Sequence, residues 1–389
     1  MKLKLKTLSS IHIGGKEGNF LPMEYLIFRN KCYFINEDKL SKELYDRQLL
    51  DNFLTGIKQK GKDFSVDAFL KEKKLLTQEF LDKTSSYSSH CNINIQGNIR
   101  SCIRNAFSQP YLPGSAIKGV IRTSIMYVIL KRLNDTLRKK ILTDFVQKKL
   151  LEYKKDPRGE QGYSWFKERF KQWFAQRLDE EIFQKFVIKN NQKRYDPHSD
   201  ILRCIQISDS NSIDTGNLHL EEVKIFSADS AKSPKDWSVF VECIPAGNEF
   251  TFQCKIDEWL LNKFKENNPS NSFGVAFSEL KKILSNPFEA VNEMTSDLLR
   301  EEESFFSQKL KLKNILNFGN ETPNFRLGWG MGLLGTSVAM LLPAETKQDL
   351  RNILFTDRGD SPAPKSRRII TSNHSSYAIL GWCVVENNI

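Results

Sequence analysis

No two of the five histidines stand at metal-ligand spacing, and no HExxH occurs. The seven cysteines are an odd number, widely scattered and without a CxxC pair, which argues against structural zinc and against a disulfide framework. They read as buried free thiols of a reducing cytoplasm. The first residues, Met1 to Lys6, alternate charge and leucine and never form the apolar run of about 7–15 residues that a signal peptide needs. The longest uncharged stretch, Leu327 to Ala344, is interrupted by Gly328, Gly330, Gly332, Gly335 and Pro343, which suit a loop better than a membrane span. No GxSxG marks a hydrolase nucleophile, although a triad that converges only in space leaves no such trace. Repeats with a period of about 20–50 residues are also missing.

What is present is a globular composition on 389 residues, long enough for two or three domains and a sizeable core. Charged residues make up 27% and apolar ones 40%, and 58 Lys and Arg against 47 Asp and Glu leave a net charge of +11. Period-two runs at 2–13, 24–35, 91–100, 201–207, 218–226, 238–244, 249–256 and 377–385 predict strands. Arg29-Asn30-Lys31 reads as the turn of a hairpin. Helical spacing predicts helices from about 37 to 83, over 115–133, across a charged block from 134 to 195 that includes 165–171, and over 274–316. Strands alternating with helices, and long helical inserts between them, indicate an α+β fold.

Three segments carry candidate chemistry. The first is Tyr111 to Thr123, in which Pro113-Gly114 ends the preceding segment and Ser115 reads as a helix N-cap. At helical spacing Ile117, Val120, Ile121, Ile125 and Val128 cluster within about 140° as a core face, whereas Ser115, Lys118 and Arg122 fall within about 60° on another. A hydroxyl and two cations beside a helix start attract phosphate, and Gly119 leaves room for a backbone. An ordinary capped helix with a solvated basic face would carry the same residues. Gly114-x-x-x-x-Gly119 imitates a P-loop, but Val120 stands where the lysine must be, so ATP hydrolysis is not supported.

The second is Phe325 to Ser337. Gly330-x-Gly332-x-x-Gly335 matches a dinucleotide fingerprint, yet only 54 residues follow, too few for a Rossmann half. A glycine loop flanked by Arg326 and Trp329 suits either close approach to a polyanion or a tight seam. The third runs from Asp196 to Ser210, where Asp209 offers a metal or general-base carboxylate or, more commonly, a turn cap. His12, beside Gly14-Gly15, reads as a half-buried strand residue or a ligand contact.

Ile11-His12-Ile13-Gly14-Gly15, Leu112-Pro113-Gly114-Ser115-Ala116-Ile117-Lys118-Gly119-Val120-Ile121-Arg122 and the glycines from Leu327 to Gly335 together resemble the RAMP superfamily of CRISPR-associated proteins. Within it, Met23-Glu24-Tyr25, the step from Phe34 to Leu40, and Arg203 with Ser208-Asp209-Ser210 are similar to the subunit that caps the guide's 3′ end in type III-A (Csm) effectors. The resemblance implies RRM-like (ferredoxin-like) domains: residues 1–246, with helical insertions at about 41–85 and 134–196, and residues 247–389, carrying the glycine-rich loop 327–335.

It also implies a non-catalytic crRNA-binding subunit with no cofactor or metal, acting in crRNA maturation and antiviral defence. The implied partners are the backbone RAMP subunit, the small helical subunit, nearby target RNA and host nucleases. The residues carried over to guide RNA are Ser115, Lys118, Gly119 and Arg122, with Arg326, Gly328, Trp329 and Gly330 on the loop and His12 and Gly14 close to its groove. The aromatic RNP1 pattern of true RRMs is missing, so base stacking on the sheet is not expected. The rival reading is a metal-dependent endoribonuclease using Asp209 or Asp38; another RAMP subunit, on the 5′ side, is a third.

Overall fold

The computed structural model describes residues 1–155, 169, 174–189, 192–228, 234–267, 277–354, 363–373 and 376–387. Most of the charged run at 165–171, the start of the helical block at 274, and His374 lie outside the described residues.

Leucine–lysine alternation folds as expected: β1 (Lys2–Thr7) buries Leu3 and Leu5 and turns its lysines outward. It is the middle strand of a five-stranded sheet. On one side it pairs antiparallel with β12 (Glu249–Ile256), followed by β9 (Ile205–Ile207). On the other it pairs with β16 (Trp382–Asn387), followed by β13 (Phe325–Arg326). Pairing of β1 with β12 and β16 crosses the division expected at residue 246.

The second sheet contains nine strands. Its main path runs β2 (Gly14–Phe20), β6 (Ile99–Cys102), β11 (Ser238–Cys243), β10 (His219–Ser227), β5 (Ser85–His90), β4 (Lys31–Ile35) and β3 (Tyr25–Phe28). β14 (Ser366–Asn373) adds to β10 and carries β15 (Ser376–Ala378). The β3–β4 hairpin turns through Arg29 and Asn30, both with positive φ, as a two-residue hairpin of the type I′ class requires. One face packs Tyr25, Phe34, Ile99, Leu220 and Phe240; the other packs Val223, Val241, Cys243 and Ile370.

Helices α1 (Glu37–Asp46), α2 (Leu50–Lys60), α3 (Val66–Glu72) and α4 (Gln78–Thr84) form the first insertion. They share a small core of Leu44, Phe53, Phe69, Leu70 and Leu81 with Tyr33 of the hairpin. Asn36, Ser65 and Thr77 cap three of them by accepting backbone N–H bonds. α5 (Gly114–Arg132) buries Ile117, Ile121, Ile125 and Val128 in the main core, with Val120 half-buried. It lies against a helix at Pro287–Ser304, where the Tyr127 hydroxyl and Lys131 Nζ both donate to Asp297, at 2.8 and 2.6 Å.

Several expected elements differ. Gly14-Gly15 opens a strand instead of ending one. Residues 91–98 link two short strands, 201–204 form a 3-10 turn before β9, and β7 (Lys185–Lys189) pairs antiparallel with β8 (Gln192–Asp196) where a helix was expected. Lys185, Lys189, Lys193 and Arg194 give this run the charge density of the helical block before it, and pairing with a neighbour overrides weak local propensity. All seven cysteines are buried free thiols, as expected.

Candidate nucleic-acid interface

α5 starts one residue earlier than the sequence indicates, so Ser115 is not its cap. Pro113 precedes the helix with no side-chain cap bond, and the Gly114 N–H donates instead to Asp209 Oδ1 at 2.7 Å. A Cβ on Gly114 would stand 2.6 Å from the Ile207 carbonyl oxygen, so the turn after β9 lies directly on the helix start. Asp209 is therefore a cap reaching from a distant loop, set against the partial positive charge of the helix end.

The cationic stripe is real in geometry and internal in use. Lys118 Nζ donates to the Ile205 carbonyl at 2.7 Å, and partial burial lowers its pKa. Arg122 donates through two nitrogens to Asp179 and through one to Asp200, and stacks on Phe183 at 4.8 Å. Both side chains thus already have protein partners, contrary to the expectation of a free basic face. Ser115 and Gly119 remain exposed, and no atom lies within 4 Å of a Cβ built on Gly119.

His12 is 2% exposed, so it is not an open ligand contact. Its Nδ1 lies 2.7 Å from the Glu242 carbonyl oxygen, which can only accept; the ring is thus the neutral Nδ1–H tautomer. Burial, reinforced by Arg100, lowers its pKa to about 4. The His12 carbonyl accepts the Trp329 N–H at 2.7 Å, and the two rings meet edge-on at 5.9 Å. Gly328, at φ +97, approaches so closely that a Cβ would sit 2.5 Å from that carbonyl oxygen. A Cβ on Gly14 would lie 3.5 Å from His12 Nε2, and one on Gly330 would strike Leu380 at 2.8 Å.

The His12 strand end and the glycine loop therefore meet in a tight seam, while α5 begins at the far edge of the five-stranded sheet, beside β9. Arg326, expected at the RNA, is an internal residue of that seam. It is 4% exposed, stacks on Trp382 at 4.6 Å, and faces Glu302 at 3.8 Å. Burial lowers its pKa to about 10.

Trp329 alone of the loop's expected contact side chains stays half-exposed. It lies on the Val223–Val241–Ile370 face, and the guanidiniums of Arg100 and Arg368 each stand 4.8 Å from its ring centroid. Sequence reasoning missed both arginines. Arg368 was visible in Lys365-Ser366-Arg367-Arg368, where strand alternation turns Arg367 inward onto Glu302 and leaves Arg368 exposed.

The RAMP superfamily model matches residues 4–334. The chain belongs to the RAMP superfamily. It is 31% identical over 144 residues to a Streptococcus thermophilus protein named "CRISPR system Cms protein Csm5". That match takes in 34% of this chain and spans only 40% of the relative's length. A chain of the cryo-EM structure of a Csm–crRNA–target RNA ternary complex from a type III-A CRISPR-Cas system overlays with a TM-score of 0.71, at 20% identity, over 99% of this chain and 100% of that one. The crystal structure of T. onnurineus Csm5 overlays with a TM-score of 0.65, at 20% identity, over 98% and 99%. These overlays establish the α+β RAMP fold along the chain. Among the described residues, no helix is long and apolar enough to cross a membrane.

Proposed function

We propose that the chain is a non-catalytic crRNA-binding subunit of a type III-A Csm effector, seated at the 3′ region of the guide and working in the cytoplasm in crRNA maturation and complex assembly. Its neighbours in this reading are the backbone RAMP subunit and the small helical subunit, with target RNA close by. The observation that carries it is the face where the glycine loop lays Trp329 between strands bearing Arg100 and Arg368. A cationic platform suits a sugar-phosphate strand held with little sequence readout. The overlay on a chain of a Csm–crRNA–target RNA complex supports the same reading.

The two carboxylates considered for catalysis have structural employment. Asp209 caps α5, and Asp38 lies in the first turn of α1, where the helix dipole favours an acid. Photocrosslinking in a complex reconstituted with labelled crRNA tests the assignment: crosslinks in the 3′ half support it, and crosslinks confined to the 5′ end overturn it. Incubation of the purified chain with labelled crRNA and Mg²⁺ leaves the RNA intact in this reading. Cleavage that an Asp209→Ala variant abolishes would favour the endoribonuclease instead.

A further inference from the structure

We infer that Arg100 and Arg368 form a clamp for the phosphodiester backbone of single-stranded RNA, with the Trp329 indole as their shared support. This rests on the guide-RNA reading above and adds to it that the two side chains act together, as one pre-positioned unit, on a single strand.

The strand register builds the clamp. Arg100 on β6 stands opposite Val241 on β11, which stands opposite Glu221 on β10. Two steps along β10, Val223 faces Ile370, and Ile225 faces Arg368 on β14. Directly paired residues share a face, so both arginines emerge on the side where Trp329 packs. Two guanidinium carbons each 4.8 Å from one ring centroid cannot be more than twice that distance apart.

No carboxylate of the described residues lies within ion-pair distance of either arginine. Glu221, the acid in their row, accepts the Ser10 hydroxyl at 3.0 Å. Nearby arginines turned inward are treated differently: Arg367 and Arg326 face Glu302, and Arg104 pairs with Glu242. Partial burial of its guanidinium, and then the like charge of Arg100, lower the pKa of Arg368. Stacking on the indole holds both planar forks in place before any ligand arrives. The ring already carries two cations, so the matching ligand is phosphate rather than a stacked base.

Fluorescence anisotropy with a labelled single-stranded guide RNA and the full chain tests the clamp. The R100Q/R368Q double variant should unfold at the wild-type temperature and bind about tenfold or more weakly. Its slope of log affinity against log salt should fall by about 0.7 for each phosphate that is no longer neutralised. An R100K/R368K variant should recover most of that slope. Wild-type affinity and slope in the glutamine variant would overturn the clamp. Unchanged RNA binding with failed assembly onto neighbouring subunits would overturn it too, in favour of an acidic protein surface. Failure of the wild-type chain and of the assembled complex to bind guide would instead sink the parent reading.

Discussion

The backbone N–H of Gly114 donates to the carboxylate of Asp209, ninety-five residues further along the chain, at 2.7 Å. One bond therefore ties the first turn of α5 to the loop after β9. Asp209→Ala should lower stability by about 0.5–2 kcal/mol, the usual cost of a lost N-cap. Asp209→Asn should recover much of it, because an amide oxygen still accepts. Chemical denaturation of the three proteins checks this; an alanine variant as stable as wild type would remove the capping role.

Arg122 leads to a prediction opposite to the one a free basic face would give. Arg122→Ala leaves Asp179 and Asp200 without their shared donor in a half-buried site, which should cost about 1–3 kcal/mol. The melting temperature should fall clearly. Lys118→Ala, which frees only the Ile205 carbonyl, should cost less.

Two glycines separate tight seam from open surface. At Gly328 a side chain meets the His12 carbonyl and an unfavourable φ, so Gly328→Ala should destabilise by more than about 1 kcal/mol. Gly119 sits exposed inside α5 with open space around it, so Gly119→Ala should stabilise by about 0.5–1 kcal/mol. Parallel thermal melts compare the two.

His12 should make stability depend on pH. Its folded pKa of about 4 lies below the ordinary 6.5, so between these values the unfolded chain binds the extra proton. The contribution is fully present above about pH 6.5 and is lost as pH falls towards 4. A His12→Asn variant should lack that slope. Urea midpoints at pH 4.5, 5.5 and 7 would show it, and parallel wild-type and variant curves would exclude it.

The elements readable from the sequence were those governed by local period. Helix α5 and the leucines of β1 follow spacing that no partner has to supply, and the hairpin at Arg29-Asn30 follows turn chemistry. The three family segments were also legible, but the partners of their side chains were not. Arg122 looked free because Asp179 and Asp200 are brought to it only by folding, and Ser115 looked like a cap because the true cap lies on another strand's end. The strand at 366–373 was overlooked although its alternation is visible, and with it went Arg368.

The central position of β1 bears on how the protein is made. This strand leaves the ribosome long before one of its two partners, β16, has been synthesised. Until that late strand arrives, an edge of β1 stays unsatisfied and open to mispairing. The glycine seam, whose Leu327 N–H bonds to the Gly381 carbonyl, must wait as well. Newly made chains should thus become competent for assembly only once β16 has emerged, and tags or truncations that disturb residues 382–387 should abolish folding rather than trim an edge.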